Sequence, residues 1–387
     1  MSNIKKVFFF TLANILLFFL IEIILTFFFV VHKSNYYGPL ARIFLSEKAY
    51  PEKTVVYKIK YSKKTGMHIP GIYNFDNVTH YVNKFGFIGD EIDIENKTGC
   101  RLIALGGSTT AGLESRRSYP KILENLLNKK NYNCDVLNFG FSGKALNFLE
   151  KILVNEATKF NPNVVILMNN RNSTMYDSYV TSSVATDIID NKFDLFAYEL
   201  KTFLYLEVMT YRFMNLAYNR IISYLIDDEN QIISPFNPRN FHSKKYFENG
   251  YKDQILRINS YCEEKGIKLV LVKQAFSIDP IMQNKINSLS KKEIIERLTD
   301  YKKEENYLNK ENLFWIYTNA ILNKNLDEIK AENIVVVDPT LILYSKNKEF
   351  FFQKDGLHLN ENGNKVIAEK IIEELLPKKI LKIKKWI

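Results

Sequence analysis

The chain has 387 residues, 46% of them hydrophobic and 25% charged. That composition excludes intrinsic disorder and suffices for one large domain or two small ones. The formal net charge of +10 comes from lysines interleaved with acids, as at Lys291, Lys292, Glu293 and Glu296; this is the pattern of solvated faces, and with no recognition module beside it no nucleic-acid partner is expected.

The first element is an apolar run over residues 7–31 whose only charged member is Glu22. As a helix it would span about 37 Å, enough to cross a bilayer. Glu22 at mid-membrane costs roughly 2.5–3.5 kcal/mol, which the surrounding Leu, Ile and Phe side chains offset at about 0.3–0.6 kcal/mol each. The run continues through Phe27, Phe28, Phe29, Val30 and Val31 to His32 without a small-residue cleavage site. Residues 1–32 therefore read as a cytoplasmic tip and a retained transmembrane anchor rather than a cleaved signal peptide. Lys5 and Lys6 on one side are balanced by Lys33, Arg42 and Lys48 on the other, so charge alone does not orient the helix. A short N-terminal tail and a large following domain place the chain from Lys33 onward on the non-cytoplasmic side, periplasmic or extracellular.

Residues 33–98 form a polar and aromatic connector expected to pack on the domain edge. From residue 99 to 377 the pattern is that of an α/β domain. Apolar runs at 102–105, 136–139, 164–168, 269–272 and 334–337 alternate with helical periodicity at 119–130, 145–160, 246–265, 313–329 and 362–376. This is the mark of a parallel sheet with helices on both faces. Residues 174–244 are too long for a simple crossover and read as an insertion or lid over the active face. Residues 378–387 form a basic tail with Lys378, Lys379, Lys382, Lys384, Lys385 and Trp386, either a frayed amphipathic end or one lying on anionic lipid.

In open parallel sheets, sites gather where strands end and helices begin. The first run is followed by Gly106-Gly107-Ser108-Thr109-Thr110, the second by Gly140-Phe141-Ser142-Gly143, and the third by Asn169-Asn170-Arg171-Asn172. Beyond the fifth comes Asp355-Gly356-Leu357-His358-Leu359-Asn360. The glycine-rich turn lacks the lysine of a phosphate-binding loop, so nucleotide binding is the poorer reading. A serine at one strand end and an Asp/His pair at another supply nucleophile, general base and orienting carboxylate. The backbone N–H groups of Ser108 and Gly143 and the side-chain amide of Asn172 are candidate oxyanion donors. Singly, each residue reads as a helix cap, a loop histidine or a turn asparagine; their recurrence at successive strand ends favours the catalytic reading. His80 and His242 lack such a setting and read as structural or surface residues.

At these positions the chain resembles the SGNH (GDSL-like) hydrolase family over residues 100 to about 377. Gly107-Ser108, Ser142-Gly143, Asn172 and Asp355-x-x-His358 correspond in order to its four blocks, and Asp-x-x-His-Leu-Asn followed by Gly363 is the most specific match. The resemblance implies a three-layer α/β/α flavodoxin-like parallel sheet, with Ser108 as nucleophile, His358 as base, Asp355 as its orienter, and Gly143 with Asn172 in the oxyanion site. Two blocks depart from the family pattern: Gly-Asp-Ser reads Gly106-Gly107-Ser108, and Gly-x-Asn-Asp reads Asn170-Arg171-Asn172-Ser173.

Cys100 and Cys134 sit before the first two runs and could face each other. Of a disulfide and two buried free thiols, the thiols are the preferred expectation. No Cys/His cluster has metal-ligand spacing, so neither metal nor other cofactor is expected. The leading functional expectation is a membrane-anchored serine esterase acting on an acylated carbohydrate or other O-acyl ester, with an envelope glycan as substrate. An O-acyltransferase modifying such glycans, and an inactive glycan-binding or assembly protein, are the alternatives.

Overall fold

The first apolar run lies within a continuous helix, α1 (Asn3–Val31), in the computed structural model, which describes residues 3–31, 61–62, 65–75, 78–95, 99–112, 115–174, 245–278, 280–300, 310–344, 348–353 and 356–378. α1 belongs to a small unit separate from the α/β unit. Its side chains are described over residues 10–24, where Phe10, Leu16, Leu17, Phe19 and Leu20 are each more than half exposed and Glu22 is buried. Among the described residues no helix is long and apolar enough to cross a membrane.

The α/β unit begins with a hairpin absent from the sequence reading: β1 (Gly71–Phe75) and β2 (Val78–Val82) pair antiparallel. The segment after it is fastened to the domain. Ile88 bridges Asn138, and Phe87 stacks on Phe139 at 5.5 Å and meets Phe160 edge-on.

All five apolar runs become strands: β3 (Cys100–Gly106), β4 (Cys134–Gly140), β5 (Val164–Met168), β6 (Lys268–Val272) and β7 (Ile334–Val337). They form one parallel sheet in the order β4-β3-β5-β6-β7, which is flavodoxin-like. The helices are α2 (Tyr119–Lys129), α3 (Leu146–Asn155), α4 (Tyr251–Glu264), α5 (Pro280–Ser288), α6 (Lys291–Asp300), α7 (Lys310–Asp327) and α8 (Glu361–Leu375). The two-residue period of β3 divides the core. Leu102 and Ala104 join Leu123, Leu127, Ile367 and Ile371 from α2 and α8. Ile103 and Leu105 join Leu149, Ile152, Ile255 and Ile321 from α3, α4 and α7. The result is three layers, α/β/α.

One helix differs from expectation. The periodicity over 145–160 breaks after Asn155, and a separate 3-10 turn, Ala157–Phe160, closes on Asn161 at φ 48°. Asn161 precedes Pro162, which disfavours the right-handed helical region at that position, and asparagine tolerates the left-handed one.

The preference for free thiols at Cys100 and Cys134 is corrected, because the two are joined in a disulfide. They are direct partners in the β3–β4 register, with Cα atoms 4.5 Å apart, inside the range a disulfide spans. The third cysteine, Cys262, is buried and free, and burial pushes its thiol up to about 12. Denatured, unreduced protein should therefore titrate with one thiol, and reduced protein with three. Closing a loop of sequence separation 34 stabilises the fold by about 4 kcal/mol, so Cys134→Ser should lower the melting temperature. Three titratable thiols before reduction would refute the bridge.

Candidate active site

β3 ends at Gly106, and Ser108 opens a short helical turn, Ser108–Ala111, that closes when Gly112 at φ 69° donates its N–H to the Ser108 carbonyl. A side chain at Gly107 would collide: a Cβ there would lie 2.5 Å from Nδ2 of Asn172. The glycine thus lets the asparagine amide reach the backbone beside the serine. In the strand order 4-3-5-6-7, β3 is where the winding direction reverses, the place where ligands bind in such sheets.

Ser108 Oγ lies 2.8 Å from Nε2 of His358. The hydroxyl donates to the imidazole when Nδ1 carries the ring proton. His358 is held by a tight loop in which Gln353 N–H donates to the His358 carbonyl at 2.7 Å and Ser277 N–H donates to the Gly356 carbonyl at 2.8 Å. Immediately afterwards Asn360 caps α8 by accepting the Gly363 N–H at 3.1 Å. The cap accounts for the Asn that follows the histidine in the sequence, while Gly363 is required because a Cβ there would collide with the Phe351 carbonyl oxygen. Asp355 lies outside the described residues.

Gly143 sits at φ 72° in the turn after β4, and no acceptor among the described residues takes its N–H. The turn is tied to the asparagine block, since Asn169 Nδ2 donates to the Lys144 carbonyl at 3.0 Å. It also rests on a residue missed in the sequence. His68 Nε2 lies 2.9 Å from the Gly140 carbonyl, and its ring stacks on Phe141 at 4.6 Å. Burial pushes this imidazole down to about 4, so at neutral pH it is an uncharged donor bracing the strand end. His80, on β2, is buried, and His242 lies outside the described residues.

The unusual Asn170-Arg171-Asn172-Ser173 block is built on a buried amide network. Gln274, the second residue after β6, accepts the N–H groups of Asn170 and Arg171 through Oε1, each at 3.2 Å, while its Nε2 donates to Thr109 Oγ1 at 3.3 Å. Asn170 Nδ2 donates to Asn319 at 3.1 Å and Asn323 at 2.6 Å, and Tyr251 OH donates to Asn170 Oδ1 at 3.1 Å. Asn319 and Asn323 in turn donate to the Gln274 carbonyl. Asn170 is fully buried and committed to this scaffold, which leaves Asn172, half-buried beside Gly107, as the amide that faces the serine turn. Gln274 is the second missed residue; it stands at the end of β6, as the other site residues stand after their strands, but only its partners reveal its role. Thus Ser108, His358 and Asn172 come together, with Gly143 in a turn bonded to the same block. Among the described residues no group of His, Cys, Asp and Glu converges as a metal site. The insertion expected over 174–244 lies outside the described residues beyond Thr174, as does the tail beyond Lys378.

No protein-family model and no curated protein matches the sequence. Solved structures do. A lipase/acylhydrolase from Enterococcus faecalis is 12% identical, with 74% of this chain and 99% of that one covered and a TM-score of 0.36. A GDSL-like lipase from Bacteroides thetaiotaomicron is 10% identical over 74% and 93%, with a TM-score of 0.39. A variant of an acetyl xylan esterase from Geobacillus stearothermophilus is 13% identical over 72% and 94%, with a TM-score of 0.35. At that level of likeness the chemistry of this chain rests on its own residues.

Proposed function

We propose that the chain is a serine esterase, anchored in a membrane by α1, that cleaves O-acyl esters of an envelope glycan on the non-cytoplasmic side. The observation that carries the chemistry is the 2.8 Å contact between Ser108 Oγ and His358 Nε2 at the strand-order reversal. Ser108 Oγ attacks the ester carbonyl carbon while its proton passes to Nε2. The oxyanion is met by the N–H groups of Ser108 and Gly143 and by Nδ2 of Asn172, donors of a kind whose single loss lowers turnover roughly 100- to 1000-fold. Collapse of the intermediate breaks the bond to the sugar oxygen, which takes the proton from His358 and leaves as the hydroxyl. Water then attacks the acyl-serine by the same route, releasing the acid and restoring the hydroxyl. Asp355 is assigned the role of orienting His358 from its place in the sequence motif.

Two observations support the placement. The described face of α1 exposes Phe and Leu side chains that water would not favour, and the Cys100–Cys134 disulfide suits an oxidising compartment. The glycan clause rests on the family resemblance together with this placement. A fluorophosphonate probe tests the active serine directly. It should label the full-length protein in detergent stoichiometrically and leave Ser108→Ala unlabelled. Equal labelling of the two proteins, or none of the folded wild type, would refute the assignment.

A further inference from the structure

Arg171 stands one residue from Asn172, and its environment is built. Its backbone N–H is held by Gln274. Its guanidinium carbon lies 4.6 Å from the ring centre of Trp315, on α7, and 6.0 Å from that of Phe276. Phe276 belongs to the loop whose next residue, Ser277, bonds the Gly356 carbonyl of the histidine loop. The guanidinium therefore lies against Trp315, on a residue next to Asn172, and near Phe276, the neighbour of the residue bonded to the histidine loop. It is half-buried, and among the described residues no carboxylate or carbonyl takes any of its side-chain N–H groups. Aromatic faces fix the plane of an arginine without using its donors, leaving the edge free for a planar oxyanion. Two other cations near the strand ends are paired: Lys273 with Asp327 and Asp338, and Arg117 with Glu361.

We infer that Arg171 is a substrate-binding residue that recognises a monoanionic group, a carboxylate or phosphodiester, on the acylated substrate. This deepens the esterase reading and rests on it. A single planar guanidinium with free donors matches a monoanion bidentately, and the net charge of +10 favours approach of an acidic polymer. The substrate class is then an O-acylated acidic glycan rather than a neutral one.

The test uses a matched pair, O-acetylated methyl glucuronoside and O-acetylated methyl glucoside, which differ at the sugar C6 carboxylate, with acetate release by the full-length protein in detergent. Wild type should prefer the acidic ester about tenfold or more in kcat/KM, chiefly through KM. Arg171→Gln should collapse that ratio toward one, and Arg171→Lys should retain part of it. A wild-type ratio near one, or an unchanged ratio in Arg171→Gln, would overturn the inference. Binding separates failure of this inference from failure of the esterase reading. In a Trp386→Phe background Trp315 is the sole tryptophan, and its fluorescence should respond to glucuronate and to dimethyl phosphate, but not to glucose, with the response lost in Arg171→Gln. If neither sugar ester is cleaved and the fluorophosphonate does not label Ser108, the esterase reading fails while this titration still decides the anion site. Equal responses to glucuronate and glucose would then reject it.

Discussion

Ser108→Ala is expected to lower ester turnover by about 10⁴- to 10⁶-fold while leaving the protein folded. The size follows from what the hydroxyl does: without it no acyl-enzyme forms, and the residual rate is what oxyanion donors and binding give to direct attack by water. The fold should survive because the turn is closed by backbone bonds, Gly112 N–H to the Ser108 carbonyl and Ala111 N–H to the Gly107 carbonyl, and among the described residues the hydroxyl bonds only with His358. His358→Ala should cost a comparable factor. The double variant should be no worse than either single one, because groups that act in one step are not additive. Unchanged turnover in folded Ser108→Ala would sink the mechanism. Additive losses in the double variant would show that the two residues act separately despite their 2.8 Å contact.

Much of this arrangement could be read in the sequence, and the exceptions have a common cause. Strands β3 to β7 were legible because a parallel strand covered on both faces is a short apolar run. Ser108, Gly143 and Asn172 stand out because the strand-end rule directs attention to the residues just after such runs, whereas His358, well beyond the last run, stands out only through its Asp-x-x-His pattern. Gln274 also follows a run, yet a glutamine there carries no spacing signature, and its meaning depends on Thr109, 165 residues earlier in the chain. His68 comes from the connector and acts on Gly140, 72 residues away. The departure of the asparagine block from the pattern it resembles has the same origin, for Asn170 is satisfied by Asn319, Asn323 and Tyr251 from distant helices. The disulfide was legible only as a proximity. Whether the thiols meet depends on register, and a shift of one residue would have turned one of them to the opposite face.

Arg101→Ala is expected to destabilise the α/β unit by about 3–5 kcal/mol, read as a fall in melting temperature of roughly 5–15 °C. Arg101 is 1% exposed on β3 and ties together four segments. Its Nε and Nη2 donate to Asp135 on β4 at 3.1 and 3.0 Å. Nη2 also donates to the Asp93 carbonyl at 2.9 Å, and Nη1 donates to the carbonyls of Phe160 at 3.1 Å and Ile94 at 3.4 Å. The Asp135 side chain is 39% exposed, so its carboxylate can regain water, and screening makes the ion pair itself the lesser part of the loss. The larger part is the buried Phe160 carbonyl, left without its donor at about 1–3 kcal/mol, together with the lost ties to the part-buried Asp93 and Ile94 carbonyls, which water can partly replace. Arg101→Met separates the causes: it restores most of the buried stem but none of the donors, and should recover less than half of the lost stability. If it recovered nearly all, packing and not hydrogen bonding would be what Arg101 contributes. Because Asp93 and Ile94 belong to the connector, its backbone amides should exchange faster in Arg101→Ala than those of β5. Uniform acceleration across both would mean that the arginine stabilises the sheet as a whole and not the attachment of the connector to it.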